Sequence, residues 1–424
     1  MNFIFKDPQY SFQLLRAIGH SPSGGADIGE VLKTAYNIAD GNDESWYDEW
    51  HKTANNCETR AKEFLKKKHF ISARNEYLRA SNYYRTAEFF LHINPKDHRI
   101  VSTWKKSREC FLKAIKYLPF KINPVEIPFE ETTIPGYMCY SLDTKTQKPL
   151  IIVHTGFDGT AEELYFQVAK QAVEHGYNCL IFEGPGQGRV IRTQHIPFRY
   201  NWETVVTPVI DFALKLPGIS KSKIVLYGIS FGGYLAPRAA AFDKRIKVCI
   251  ANGGVYNFHI IKDINETDLD TPSVCAQMDS EVYSMMDKSP SLRWIIGNAL
   301  FTFHAKTPTE WMRMTRPYSL KNISDKIKCM TVICDSEGDN DLPGQSKILY
   351  DALKCPKKFI EFIKEEGAEE HCQIGASIIS NEKIFNYLDE FFKIKEDSGE
   401  KQKETVKKEK KPVNVKHAKI KKND

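Results

Sequence analysis

Ser230 lies at the centre of Gly228-Ile229-Ser230-Phe231-Gly232, directly after the apolar run 224–227 and before the helix-forming stretch 233–241. A serine hydroxyl attacks poorly unless a base takes its proton and the chain holds it clear of its surroundings. A sharp turn from strand into helix provides the second condition, and small residues two positions to either side allow that turn to close. The five residues alone are a pattern that chance produces, with an incidental tight turn as the alternative. Their meaning rests on partners further along the chain.

A serine of this kind works with a histidine and with an acid that orients the histidine. In strand–turn–helix sites the chain order is serine, acid, histidine, the last two on loops after late strands. After the run 330–334 comes Asp335-Ser336-Glu337-Gly338-Asp339-Asn340-Asp341-Leu342-Pro343. Asp339, four residues before Pro343, has the favoured position for the acid, and Asp341 is the alternative. After the run 359–362 comes Glu365-Glu366-Gly367-Ala368-Glu369-Glu370-His371-Cys372. His371 is the only histidine between the acid loop and the lysine-rich C-terminus, which makes it the expected base.

The charge that develops on an attacked carbonyl oxygen needs two N–H groups aimed at it. Phe231, the residue after the serine, is expected to supply one. Phe157, in His154-Thr155-Gly156-Phe157-Asp158-Gly159-Thr160, is expected to supply the other, with Gly156 letting the backbone approach the substrate. The segment Glu183-Gly184-Pro185-Gly186-Gln187-Gly188 is glycine-rich but lacks the Gly-Lys-Ser/Thr ending of a phosphate loop and the spacing of G-x-G-x-x-G. It reads as a loop that shapes the site. No cofactor is expected, and no Cys/His cluster has the spacing of a zinc site.

These residues need a scaffold. Apolar runs at 150–153, 179–182, 224–227, 248–251, 330–334 and 359–362 are mostly separated by helix-like stretches. That rhythm belongs to a mostly parallel sheet with helices on both faces. Ahead of it, residues 125–129 and 137–140 flank Ile134-Pro135-Gly136 and read as an antiparallel hairpin turning there. Residues 1–122 read as a helical cap. Within it Ala73, Tyr77, Ala80, Tyr84 and Ala87 share one helix face, with Ser72 at the N-cap. No second copy recurs at a fixed period, which excludes a repeat array. Between about 256 and 320 the alternation breaks in a stretch rich in Met, Trp and Phe, which suits a helical lid. The expected division is a cap over 1–122, a catalytic domain with its lid over 123–395, and a tail over 396–424.

With 42% hydrophobic content, 424 residues suffice for one large domain and a smaller one. No run approaches the roughly 20 apolar residues of a membrane span. The N-terminus lacks the basic-then-apolar order of a secretory signal. Ten scattered cysteines suit a reducing compartment, so a cytoplasmic protein with no integral membrane association is expected. From Glu396 onward ten lysines face six acids, and they carry most of the net charge of +6. Such a segment cannot repay its ordering entropy and reads as a solvated tail, with weak attachment to an anionic membrane or nucleic acid as the alternative. The rest of the chain is close to neutral, and no nucleic-acid partner is expected.

Further blocks run in order along the chain: Ala26-Asp27-Ile28-Gly29-Glu30, Ser45-Trp46-Tyr47, Ser72-Ala73-Arg74 and Arg79-Ala80-Ser81-Asn82-Tyr83-Tyr84. The elbow continues as Gly233-Tyr234-Leu235-Ala236-Pro237-Arg238-Ala239, and Pro343-Gly344-Gln345 closes the acid loop. Together with the loops above, they make residues 10–393 resemble one branch of the α/β-hydrolases. That branch includes the fermentation–respiration switch protein, 2,6-dihydroxypseudooxynicotine hydrolase and the fungal heptaketide pigment hydrolases. The resemblance implies an α/β-hydrolase fold with an N-terminal helical cap, an active site between the two, and a triad of Ser230, Asp339 and His371. It also implies cleavage of an ester, or of a carbon–carbon bond next to a ketone in an aromatic or polyketide substrate, and pairing into a homodimer. Asp341 departs from the family pattern, where a second acid is unusual, and it stays open as the triad acid.

The expected activity is hydrolysis of a carbonyl-centred bond in a small apolar or aromatic substrate, through an acyl-enzyme on Ser230. Trp46, Tyr47, Tyr83, Tyr84, Trp294 and Trp311 are candidates to line the pocket, with ordinary packing as the alternative for each. A dipeptidyl-peptidase-like activity would use the same machinery, but no propeller-like run of strands precedes the catalytic part. A non-catalytic binding protein built on the helical cap is the remaining alternative. The intact order of serine, acid and histidine argues against it.

Overall fold

The computed structural model describes residues 3–143, 146–259 and 266–394. The lysine-rich tail and residues 260–265 of the expected lid lie outside the described residues. Eight strands form one sheet: β1 (Ile122–Phe129), β2 (Thr132–Cys139), β3 (Lys148–His154), β4 (Asn178–Phe182), β5 (Ile219–Ile229), β6 (Ile246–Asn252), β7 (Met330–Ser336) and β8 (Lys357–Phe362). Their spatial order is β1-β2-β4-β3-β5-β6-β7-β8. The pairs β1–β2 and β2–β4 are antiparallel and the others parallel. Each of the six apolar runs is a strand of this sheet, which is the mostly parallel fold the sequence predicts.

Those runs are apolar throughout because both faces of the sheet are covered. Ile151, Val153, Val225 and Tyr227 pack into the layer that holds the N-terminal helices, whereas Leu150, Ile152, Ile224 and Leu226 pack into the opposite layer. The antiparallel hairpin is present, but it turns at Glu130, whose φ is 47°, and not at Pro135. Ile134-Pro135-Gly136 lies inside β2. Gly136 is there for a close approach, since a Cβ would stand 2.2 Å from the Ile181 carbonyl of β4. Pro135 offers only its carbonyl, which accepts the Glu183 N–H at 3.1 Å.

The N-terminal region holds α1 (Pro8–Gly19), α2 (Ile28–Ala35), α3 (Asp43–Lys66), α4 (Phe70–Glu88) and α5 (His98–Ala114). The predicted stripe Ala73, Tyr77, Ala80, Tyr84 and Ala87 is the buried face of α4. The helix starts three residues earlier than an N-cap at Ser72 implies, with His69 at the N-cap and Ser72 inside the first turn. Trp46, Tyr83 and Tyr84 are fully buried in this helical layer, and Tyr47 packs at its edge. These four cap aromatics are structural, because a small-and-aromatic stripe serves helix packing as readily as a pocket.

Around the sheet lie α6 (Ala161–Leu164), α7 (Lys170–Glu174), α8 (Glu203–Ala213), α9 (Gly232–Ala240), α10 (Pro272–Met286), α11 (Pro290–Phe303), α12 (Pro308–Thr315), α13 (Gln345–Ala352) and α14 (Ser377–Phe392). Helices α10 to α12 follow β6 and precede β7. Ser289 caps α11 by accepting the Leu292 N–H, and Thr307 caps α12 by accepting the Glu310 N–H. α11 is tied to the N-terminal helices: Arg293 pairs with Asp43 at 2.8 Å, and Trp294 stacks on Phe89. Among the described residues no helix is long and apolar enough to cross a membrane, and all ten cysteines are unpaired.

Candidate active site

The turn between β5 and α9 consists of Ser230 and Phe231. Ser230 has φ of 61°, a left-handed conformation that a side chain adopts only when the surrounding structure imposes it. Its N–H donates to the Asn252 carbonyl at the end of β6 (2.8 Å), and its own carbonyl accepts the Gly233 N–H. A Cβ on Gly228 would lie 2.0 Å from the Gly232 carbonyl oxygen, so the turn closes only around glycine. The hydroxyl is thereby presented above the C-terminal ends of the parallel strands.

His371 stands on the loop after β8. Its Nε2 lies 2.9 Å from Ser230 Oγ, and its Nδ1 lies 2.7 Å from Asp339 Oδ2. Asp339, just past β7, accepts the backbone N–H groups of Asp341 (2.9 Å) and Leu342 (3.1 Å) on its other oxygen. This self-closed turn aims the first oxygen at the imidazole. The structure therefore brings Ser230, His371 and Asp339 into one hydrogen-bonded line and leaves Asp341 outside it, with its side chain facing a cavity.

Burial opposes a charged imidazole at His371, but the Cys372 sulfur and the Asp339 carboxylate outweigh it and hold His371 well above the usual histidine range. Burial alone would raise Asp339; the His371 charge and hydrogen bond, with the Leu342 and Asp341 amides, bring it below the usual carboxylate value. Asp341 moves the other way. Burial raises it, and the neighbouring Asp339 and Asp158 charges add to that against the pull of His371 and Arg16.

The loop after β3 lies against the serine turn. A Cβ on Gly156 would meet the Phe231 nitrogen at 2.5 Å and the Ile229 carbonyl oxygen at 2.7 Å. The Phe157 and Phe231 N–H groups have no acceptor among the described residues. The loop is fixed from two sides. Gln187 donates to the Thr155 carbonyl at 2.6 Å, and Asn298 of α11 donates to the Phe157 carbonyl at 3.0 Å. The glycine-rich segment 183–188 thus braces the site from behind without lining the cavity.

Ser230 opens into a cavity of about 500 Å³. One wall is aromatic, with Phe157, Phe258, Trp294 and Trp311 grouped around the Phe157 ring. Trp294 and Trp311 are thus the two of the six candidate aromatics that reach the pocket. α1 lines the cavity too, with the polar residues Gln9, Gln13 and Arg16 spaced along one face beside Phe12. Arg16 bonds Asp158 at 2.8 Å and Glu163 at 2.6 Å, fastening α1 to the loop after β3. Sequence reading misses this wall because Arg16 and Asp158 are far apart in the chain and neither sits in a motif. Cys372 is a second addition, its sulfur 3.4 Å from His371 Nε2. Its φ of 53° was not legible from residue type.

Among the described residues Glu30, Cys57 and Glu76 come close enough together to suggest a metal site. Arg60 donates to both glutamates and Arg79 pairs with both, so the group is satisfied as an ion-pair network.

Residues 7–280 match the family model described as esterase FrsA-like. The hydrolase LUC6 of a Fusarium species is 32% identical over 421 residues, spanning 94% of this chain and 100% of LUC6. The 20-hydroxy-prefusarin hydrolase FUS2 of Gibberella moniliformis is 32% identical over 420 residues, spanning 94% of this chain and 100% of FUS2. The solved structure of the 2,6-dihydroxy-pseudo-oxynicotine hydrolase aligns over 87% of this chain and 94% of its own, with a TM-score of 0.69 and 19% identity, a likeness of fold. With its serine turn, its sheet order and these matches, the chain belongs to the FrsA-like esterase family and is a hydrolase of the α/β-hydrolase fold.

Proposed function

We propose that the protein is a serine hydrolase that cleaves an ester, or a carbon–carbon bond next to a ketone, in a small aromatic substrate. His371 takes the proton of Ser230 as Oγ attacks the carbonyl carbon, and Asp339 orients the imidazole and stabilises its charged form. The Phe157 and Phe231 N–H groups receive the developing oxyanion. The bond to the leaving group then breaks as the leaving atom takes the proton held on His371, and Ser230 keeps the acyl group. Water activated by His371 releases the acid and restores the serine. The observation that carries this reading is the hydrogen-bonded line of Ser230, His371 and Asp339 beneath a 500 Å³ cavity.

The cavity supports the substrate class. A lining that combines Phe157, Phe258, Trp294 and Trp311 with the polar Gln9, Gln13 and Arg16 suits a ring system that also bears oxygen substituents. FUS2 and the pseudo-oxynicotine hydrolase are by name hydrolases of hydroxylated compounds, in keeping with such a pocket. The test is turnover of p-nitrophenyl esters and aromatic β-diketones by wild type and by Ser230→Ala. Turnover by wild type that vanishes in the folded variant supports the reading. Turnover that survives in Ser230→Ala overturns it.

A further inference from the structure

Asn298 of α11 is fully buried, and its amide is held on both sides. Its Nδ2 donates to the Phe157 carbonyl at 3.0 Å, and its Oδ1 lies 2.8 Å from His92 Nδ1. A carbonyl oxygen can only accept, so the amide must turn its NH2 group to Phe157 and its oxygen to His92. The His92 Nδ1 must therefore carry a hydrogen. On the far side of the ring, Nε2 lies 2.8 Å from Glu88 Oε2, and Glu88 Oε1 accepts from Arg192. His92, Glu88 and Arg192 are buried as well.

This line of side chains joins parts of the chain that are far apart in sequence. Glu88 ends α4, and His92 lies in the short turn after it, Phe89–Ile93. Arg192 follows the glycine-rich segment 183–188, Asn298 belongs to α11, and Phe157 to the loop after β3. Gly297 makes the junction possible. A Cβ there would stand 2.7 Å from the Ile93 Cα and 2.9 Å from the Ile93 nitrogen, so only glycine lets α11 approach the turn this closely. Apolar side chains would serve packing as well as a buried polar line does. What the polar line adds is direction, because a hydrogen-bonded amide has one orientation.

We propose that His92 and Asn298 are positioning residues that hold the Phe157 N–H toward the oxyanion. The Phe157 carbonyl and N–H flank one Cα, so fixing the first restricts where the second can point. His92 acts one step further back. By donating to Asn298 Oδ1 it keeps the amide from turning over and presenting its oxygen to the Phe157 carbonyl. Neither residue lines the cavity, so both act through the backbone of the loop after β3. The proposal rests on the serine-hydrolase reading above and deepens it.

The experiment compares wild type with Asn298→Asp, His92→Leu and His92→Asn. Asn298→Asp keeps the side chain's shape and an oxygen for His92, but has no hydrogen for the Phe157 carbonyl. His92→Leu removes the ring's donor without adding a charge, and His92→Asn restores an N–H near the Nδ1 position. The readouts are kcat and KM on a p-nitrophenyl ester, and Ki for phenyl trifluoromethyl ketone, whose adduct with Ser230 carries an oxyanion. Asn298→Asp and His92→Leu are expected to lower kcat and raise Ki by about tenfold or more, with KM within about threefold of wild type. His92→Asn should recover part of both losses. Folded Asn298→Asp and His92→Leu that melt earlier but keep kcat and Ki within about threefold of wild type would have lost packing alone, and overturn the proposal. Failure of the underlying reading looks different: folded wild type that hydrolyses no ester and takes no fluorophosphonate label overturns both.

Discussion

Asp339 gives His371 one carboxylate oxygen at 2.7 Å and spends the other on the backbone amides of Asp341 and Leu342. The second set of bonds is what distinguishes it from Asp341, a carboxyl two residues away that makes no hydrogen bond to the imidazole. An amide at position 339 would present a donor where the imidazole N–H needs an acceptor. Asp339→Asn is therefore expected to lower kcat by about 10³–10⁴ on a p-nitrophenyl ester, with a much smaller loss in Asp341→Asn. Steady-state kinetics on the two folded variants check this; the reverse ranking would move the orienting acid to Asp341.

The pH–rate profile follows from the same pair. Asp339 favours the imidazolium and helps to hold His371 above the ordinary histidine range, against the effect of burial. A base acts only when neutral, so kcat/KM should still be rising with pH above about 6.5. Removing the charge with Asp339→Asn should move the rising limb to lower pH. A limb that stays in place would assign the shift to some other group.

Gly156→Ala tests the junction between the two loops. The added methyl would meet backbone atoms of Ile229, Phe231 and Gly232, none of which is a flexible side-chain end. The loop must move, carrying the Phe157 N–H with it. The expected loss is about 10²–10³ in kcat, as when one oxyanion donor is removed. Kinetics with a thermal melt check it, and an unchanged kcat in the folded variant would exclude Phe157 as a donor.

His154 sits fully buried behind the serine turn, its Nδ1 3.0 Å from the Thr155 carbonyl oxygen and its Nε2 without a partner. Burial lowers its pKa to about 4. Because the folded value lies below the unfolded one, the unfolded chain binds the proton more tightly. The contribution is full above pH 6.5 and is lost as pH falls toward 4, at roughly 1.4 kcal/mol per unit. Denaturant unfolding across that window should therefore show a shallower acid loss in His154→Gln than in wild type. Parallel curves would contradict the burial argument.

The strands and the serine turn were legible because each depends on local pattern. Ile151 and Val153 face one layer and Leu150 and Ile152 the other, so both layers leave an apolar mark on four consecutive residues. The order of Ser230, acid and His371 was equally plain. What stayed hidden depends on contacts between distant segments or on backbone angles. Nothing near Arg16 announces Asp158, which it meets only when α1 lies over the loop after β3. Trp46 and Trp294 look alike in sequence, yet one fills the helical core and the other the cavity wall. The choice between Asp339 and Asp341 turned on which carboxyl closes its own turn. Pro135-Gly136 misled because glycine serves close strand approach as well as turning.

The most direct measurement is mass spectrometry of the intact, folded protein after treatment with a fluorophosphonate, on wild type and Ser230→Ala. The account predicts a single adduct on wild type, located in the peptide that carries Ser230, and none on the variant. No adduct on folded wild type, or equal labelling of the two proteins, would contradict it.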